Sequence, residues 1–168
     1  MTSQISKPVA TCLRRLFVLV LILFSYVCVH AQQQQPSLTE QLAALQRLEA
    51  MQPDSLSPKV QQAVLLLGYV CTNPQDSRSQ QYVDEAQRII GKIEALKPQK
   101  VSDRSDLATL HGFYYTALIV MNPQQNGPRY YRQALDHLDE ALKLNPENMM
   151  ARMLSERFKE GMSKGKNK

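Results

Sequence analysis

Ala86-Gln-Arg-Ile-Ile90-Gly-Lys-Ile93-Glu-Ala-Leu-Lys-Pro98 and Ala134-Leu-Asp-His-Leu138-Asp-Glu-Ala141-Leu-Lys-Leu-Asn-Pro146 carry one pattern twice, forty-eight positions apart. Each places apolar side chains at spacings of four and three, which is one face of a helix, and each ends on a proline that cannot continue it. A helical pattern repeated in tandem predicts stacked helix pairs, where each unit buries its apolar face only against its neighbour. Such stacks act chiefly by presenting a surface, so the class of function is legible and the partner is not.

Every flanking segment also has helical period. Ser37-Leu-Thr-Glu40 matches a capping box and opens a first helix with Leu38, Leu42 and Leu45 on one stripe, stopped by Gln52-Pro53. Ser57-Pro58 opens a second, with Val60, Val64 and Leu67 inward, closed by Asn73-Pro74. The third is predicted from about Ser79 to Lys97, burying Tyr82, Ala86, Ile89, Ile90, Ile93 and Leu96. A fourth starts near Ser102-Asp103 and carries Leu107, Leu110, Tyr114, Leu118 and Met121 to a stop at Asn122-Pro123. A loop holding Asn126-Gly-Pro128 is expected next, then a fifth helix from Arg129 to Leu144 with Ala134, Leu135, Leu138, Ala141 and Leu142 inward. The sixth spans Pro146 to about Glu160, with Met149, Met153 and Leu154 as its apolar side. No stretch alternates at period two, so the fold class is all-α.

With those residues in place, the chain resembles the tetratricopeptide repeat, which pairs a Leu-Gly-x-x-Tyr helix with an Ala-x-x-x-Phe-x-x-Ala helix and a closing Pro. Leu67-Gly68-Tyr69-Val70-Cys71 and His111-Gly112-Phe113-Tyr114-Tyr115 match the first helix, Tyr115 standing where the first copy has Cys71. Ala86, Ile90, Ile93 and Pro98 match the second helix in one copy, and Ala134, Leu138, Ala141 and Pro146 in the other. The resemblance implies a right-handed stack of antiparallel helix pairs, two repeats with flanking helices. Gly68 and Gly112, with the alanines, are the positions where paired helices would approach closely.

The resemblance also implies a concave side lined by the first helix of each pair, which in this family takes extended peptides. Residues expected there are Leu65, Tyr69 and Thr72, then Thr109, Phe113 and Thr116. The Lys and Asn pattern that grips a peptide carboxylate in some members is absent, so contacts would be apolar and hydroxylic. The chain departs from the family between Gly68 and Ala86 and between Gly112 and Ala134, where it is longer by about six and ten residues. Both excesses open Asn-Pro-Gln and lead into Tyr82 or Tyr130-Tyr131, so loops projecting from one edge are expected. Their tyrosines either contact a partner or pack back on the helix pair. His111 replaces the family's usual Leu and reads as a packed neutral imidazole.

The first thirty-one residues read as an export signal: Lys7, Arg14 and Arg15 precede Leu16–Val29, a run apolar but for Ser25 and Tyr26, and Val29-His30-Ala31 fits a cleavage site. The run is short of the about 20 residues of a spanning helix, so association with a membrane follows only if it is retained as an anchor. The organisation expected is 1–31 signal, 32–36 Gln-rich lead, 37–160 helical domain and 161–168 basic disordered tail, placing the protein in the periplasm, envelope or outside the cell. After cleavage 17 basic and 15 acidic residues remain, a charge of +2, and no basic stripe points to nucleic acid. Only Cys71 is left, which excludes an internal disulfide and reads as a small buried hydrophobe.

The remaining histidines, His111 and His137, have no second ligand at metal spacing, and no phosphate loop, paired cysteine or nucleophile elbow occurs. The function expected is therefore an exported module that binds a protein or peptide without catalysis, cofactor, metal or nucleic acid. Alternatives are a membrane-tethered adaptor and, from a different class, a helical-bundle enzyme or small-molecule carrier; self-association through the repeat ends is left open.

Overall fold

A computed structural model describes residues 37–165. The expected signal, Gln-rich lead and last residues of the tail lie outside them. The described residues form six helices and no strand: α1 Leu38–Met51, α2 Ser57–Thr72, α3 Ser79–Ala95, α4 Val101–Met121, α5 Pro123–Leu144 and α6 Met149–Gly165. Among these residues no helix is long and apolar enough to cross a membrane. Consecutive helices pack as neighbours, and α2, α4 and α6 also meet, so that alternate helices form a row.

The two matched segments are the inner faces of α3 and α5. Ala86, Ile90 and Ile93, like Ala134, Leu138 and Ala141, are buried. Around them close Ala63, Leu66, Leu67 and Val70 of α2, Val83 and Ile89 of α3, and Leu110, Phe113 and Ala117 of α4. Where α4, α5 and α6 converge, Ala108, Ala141 and Ala151 make a separate contact of small side chains. Gly112 lies at the closest approach of α4 to α5: a Cβ there would stand 2.6 Å from Leu138 Cγ and 3.2 Å from the Ala134 carbonyl oxygen. At Gly68 a Cβ would meet nothing within 4 Å, so the first glycine does not bring its helix pair together.

Several helix boundaries differ from expectation. α5 starts at Pro123 rather than Arg129, and the expected Asn126-Gly-Pro128 loop is helical. Asn122 Oδ1 accepts from the Gln125 N–H at 3.2 Å, and Asn126 Nδ2 donates to the Leu118 carbonyl at 2.6 Å. These bonds hold the first turns, so Pro128 removes only one backbone bond near the start. One residue, Asn122, therefore separates α4 from α5, and no loop projects there. Ser57 is the first residue of α2 rather than its cap, which is Leu56. α3 stops at Ala95, and Lys97 takes φ 48°, the left-handed conformation that ends helices, before Pro98. Leu96, expected inside, is 38% exposed at that end.

On α6, Met149 and Met153 are exposed, while Ala151, Leu154, Ser155 and Phe158 are buried. The buried set has spacings of three and four, one stripe turned from the one expected. α6 also runs to Gly165, five residues beyond the boundary expected at 160. Its start is fixed by Asn148, whose Oδ1 accepts from Ala151 N–H at 3.0 Å. Asn148 Nδ2 reaches Ser105 Oγ at 2.9 Å, Asp106 Oδ1 at 3.1 Å and Thr109 Oγ1 at 3.2 Å. Ser105 Oγ donates in turn to the Ala141 carbonyl at 2.8 Å. This buried polar knot ties α4, α5 and α6 together.

Candidate functional site

Side chains of α2, α4 and α6 bound an apolar groove. Val60, Val64 and Gly68 recur every four residues on α2, followed by Cys71 and Thr72; Phe113, Thr116 and Val120 follow spacings of three and four on α4. Met150, Met153, Leu154, Arg157 and Phe158 complete the wall from α6. One lobe, of about 410 Å³, lies against Ala44 and Leu45 of α1. The other, of about 430 Å³, lies between α2, α4 and α6. Val64 and Met150 line both, so the lobes join. Both are open to solvent, and both fall within the about 300–1,000 Å³ typical of ligand sites.

The missing Cβ of Gly68 explains part of this space, since the glycine lines the second lobe with nothing packed over it. Cys71 lies on the same wall, where burial pushes its thiol up to about 11, so it is protonated and inert at neutral pH. Thr72 Oγ1 donates to the Gly68 and Tyr69 carbonyls at 3.1 and 3.0 Å. Thr116 Oγ1 donates to the Gly112 carbonyl at 2.8 Å. The groove's hydroxyl protons are thus committed to their own helices. Arg157 is the one charged side chain lining it.

Of the six residues expected in a concave groove, Thr72, Phe113 and Thr116 line the second lobe and Leu65 the first. Thr109 does not face solvent: it is 1% exposed, donates to the Ser105 carbonyl at 2.8 Å and accepts from Asn148. Tyr69 turns instead toward the α2–α3 turn. Its hydroxyl donates to Asp76 Oδ2 at 2.7 Å and accepts from Arg78 Nη2 at 2.7 Å. The Arg78 guanidinium and the Tyr69 hydroxyl hold the Asp76 carboxyl far below the usual carboxylate range.

The three tyrosines expected at a common edge are dispersed by their packing. Tyr82 meets the Tyr69 ring edge-on at 5.1 Å, and both rings lie beside Arg78. Tyr130 packs on Tyr115 at 5.6 Å, and Tyr131 stacks on Phe158 at 5.8 Å. Tyr82 and Tyr130 thus pack back on their own helix pairs, while Tyr131 packs on α6 and stays exposed. Val120, Met150 and Phe158 line the groove without having been expected there; the spacing of four from Leu154 marks Phe158, whereas nothing local marks Val120.

A second cluster joins the two histidines, which sequence spacing kept apart. The His111 and His137 rings stack at 5.0 Å, and Tyr115 stacks on His137 at 5.7 Å. His111 Nε2 is 3.0 Å from Glu94 Oε1, and His137 Nδ1 is 3.8 Å from Glu140 Oε2. Burial and then the neighbouring His111 depress the His137 pKa below its ordinary 6.5. The adjoining pocket, about 250 Å³, is lined by Arg104, Leu107, Ala108, His111, His137, Glu140 and Leu144, none of which is a hydroxyl or thiol nucleophile. Among the described residues no group of three or more His, Cys, Asp or Glu side chains is placed to hold a metal ion.

Comparison of the chain with protein-family models, with curated proteins and with solved structures finds no match.

Proposed function

We propose that this chain is an exported, non-catalytic binding module of the tetratricopeptide type, two repeats with flanking helices, that holds a segment of another protein in the groove between α2, α4 and α6. The open apolar groove carries this reading. An uncovered apolar channel is unfavourable in water and is a common mark of an interaction surface. The resemblance supports the placement, because α2 and α4 are the first helices of the two copies and would line the concave side. The signal-like residues 1–31 support export. The uncharged run Leu16–Val29 favours a second reading, in which the same groove works at a membrane surface on a retained anchor.

The test is photo-crosslinking in the cells of origin, with a benzophenone side chain at Met153 in the groove or at Arg132 on the exposed side of α5. A discrete protein adduct at Met153 and none at Arg132 is the expected result. Equal labelling at both sites would contradict it. Sequencing the amino terminus of the adduct separates the readings: a chain starting at Gln32 is exported and free, and one starting at Met1 in the membrane fraction is tethered.

A further inference from the structure

Resting on that groove reading, we infer that the segment held there is an amphipathic helix with an acidic residue set against Arg157, rather than an extended peptide. In water an extended strand keeps its peptide groups solvated. In the open apolar channel its outward-facing peptide groups stay wet, but those facing the wall need a donor for each C=O and an acceptor for each N–H, and each one left unmet opposes binding. The second lobe cannot meet that need, and in the first only the Gln41 and Gln61 side chains are polar. Thr72 and Thr116 have committed their protons to the carbonyls of Gly68, Tyr69 and Gly112. The Cys71 thiol is a weak donor, and the other liners besides Arg157 are hydrocarbon, thioether or aromatic.

A helix satisfies its own backbone and offers side chains only. It also suits an open channel, since one face enters the groove while the opposite face stays in water; an acyl chain in the same place would leave much of its surface wet. From Val60 to Thr72 the α2 wall runs about 18 Å, the length of a three-turn helix. Met150 and Met153 line the opposite wall, and the pliancy of methionine accommodates helix faces of differing shape. Among the described residues Arg157 has no ion-pair or hydrogen-bond partner, and no carboxylate lines the lobe. A carboxylate arriving on the partner is its natural counter-charge.

The experiment presents the full chain with two pools of peptides of about eighteen residues. One pool has Leu, Ile, Met or Phe at helical spacing with Glu or Lys at one variable position; the other is identical except that two central residues are proline. The expected result is at least about tenfold enrichment of the helical pool, with Glu selected over Lys, and reversal to Lys on the exposed-site variant Arg157→Glu. Gly68→Phe, which projects a ring into the lobe, abolishes the enrichment. If the proline pool enriches equally and Gly68→Phe abolishes it, the groove reading stands and the helical partner is overturned. If neither pool enriches, both fall. Displacement of a fluorescent fatty acid by palmitate, sensitive to Gly68→Phe with neither pool binding, would assign the groove to acyl chains and also overturn the inference.

Discussion

Gly68 and Gly112 occupy the same place in two copies of one sequence pattern, and the structure uses them in opposite ways. Gly112 lets α4 lie against Leu138 and the Ala134 carbonyl of α5, while Gly68 faces open space at the wall of the groove. Other paired positions diverge as well. Asn122 alone joins α4 to α5, whereas α2 and α3 are joined through residues 73–78, held by Asp76, Arg78 and Tyr69. Asn148 caps α6 with its side chain; Lys100, equally placed after the first copy's proline, makes no side-chain cap on α4. The second helices of the copies are alike in what they bury, and the first helices differ in what they leave uncovered. Repetition therefore accounts for the buried faces, and departure from repetition accounts for the open groove.

The largest difference between the two copies is expected from one substitution made at both glycines. Gly112→Ala places a methyl against a fully buried Leu138 and is expected to cost about 2–3 kcal/mol by denaturant unfolding. Gly68→Ala is expected to leave stability unchanged or raise it by up to about 1 kcal/mol, through helix propensity. Equal losses at both positions would mean that both glycines mediate helix contact.

Next in size is Asn148→Ala, expected to cost about 2 kcal/mol through the lost cap and the partners it leaves in the buried knot. The reciprocal change Lys100→Asn is expected to gain about 0.5–1 kcal/mol by giving α4 the cap it lacks. Urea midpoints of the two variants check both signs. At the helix ends, Lys97→Gly relieves a left-handed non-glycine residue and should stabilise by about 1 kcal/mol. Asn145→Gly should give no such gain, since Asn145 has φ −141°.

The smallest effect is the pH dependence of the histidine stack. His137 is held neutral by burial and by His111, so the unfolded chain takes up that proton first. Its contribution to stability is present above pH 6.5 and is lost as pH falls through and below that value. His137→Gln should flatten this part of the profile, and an unchanged slope would contradict the assignment.

How much could be read in advance follows from where each signal resides. Ala86, Ile90, Ile93, Ala134, Leu138 and Ala141 were legible because a buried helix face repeats with the helix. Asn126-Gly-Pro128 reads as a loop, but proline and glycine mark turns only where nothing else holds the backbone, and here Asn122 and Asn126 hold it. Hydrophobicity alone points Met149 and Met153 inward, yet Ala151, Ser155 and Phe158 are buried instead. Register alone places Thr109 and Tyr69 in the groove; their hydroxyls follow the partners offered by Asn148, Asp76 and Arg78. Asn148 had a local sign, an N-cap residue directly before a helix. The His111–His137 stack had none, because it depends on the pairing of α4 with α5.

The most direct test of the central claim is Gly68→Phe, measured for thermal stability and for partner crosslinking from the Met153 probe in the same preparation. If the open wall of α2 serves a partner rather than the fold, Tm stays within about 2 °C while the adduct disappears. An undiminished adduct with that ring in the lobe would contradict the claim.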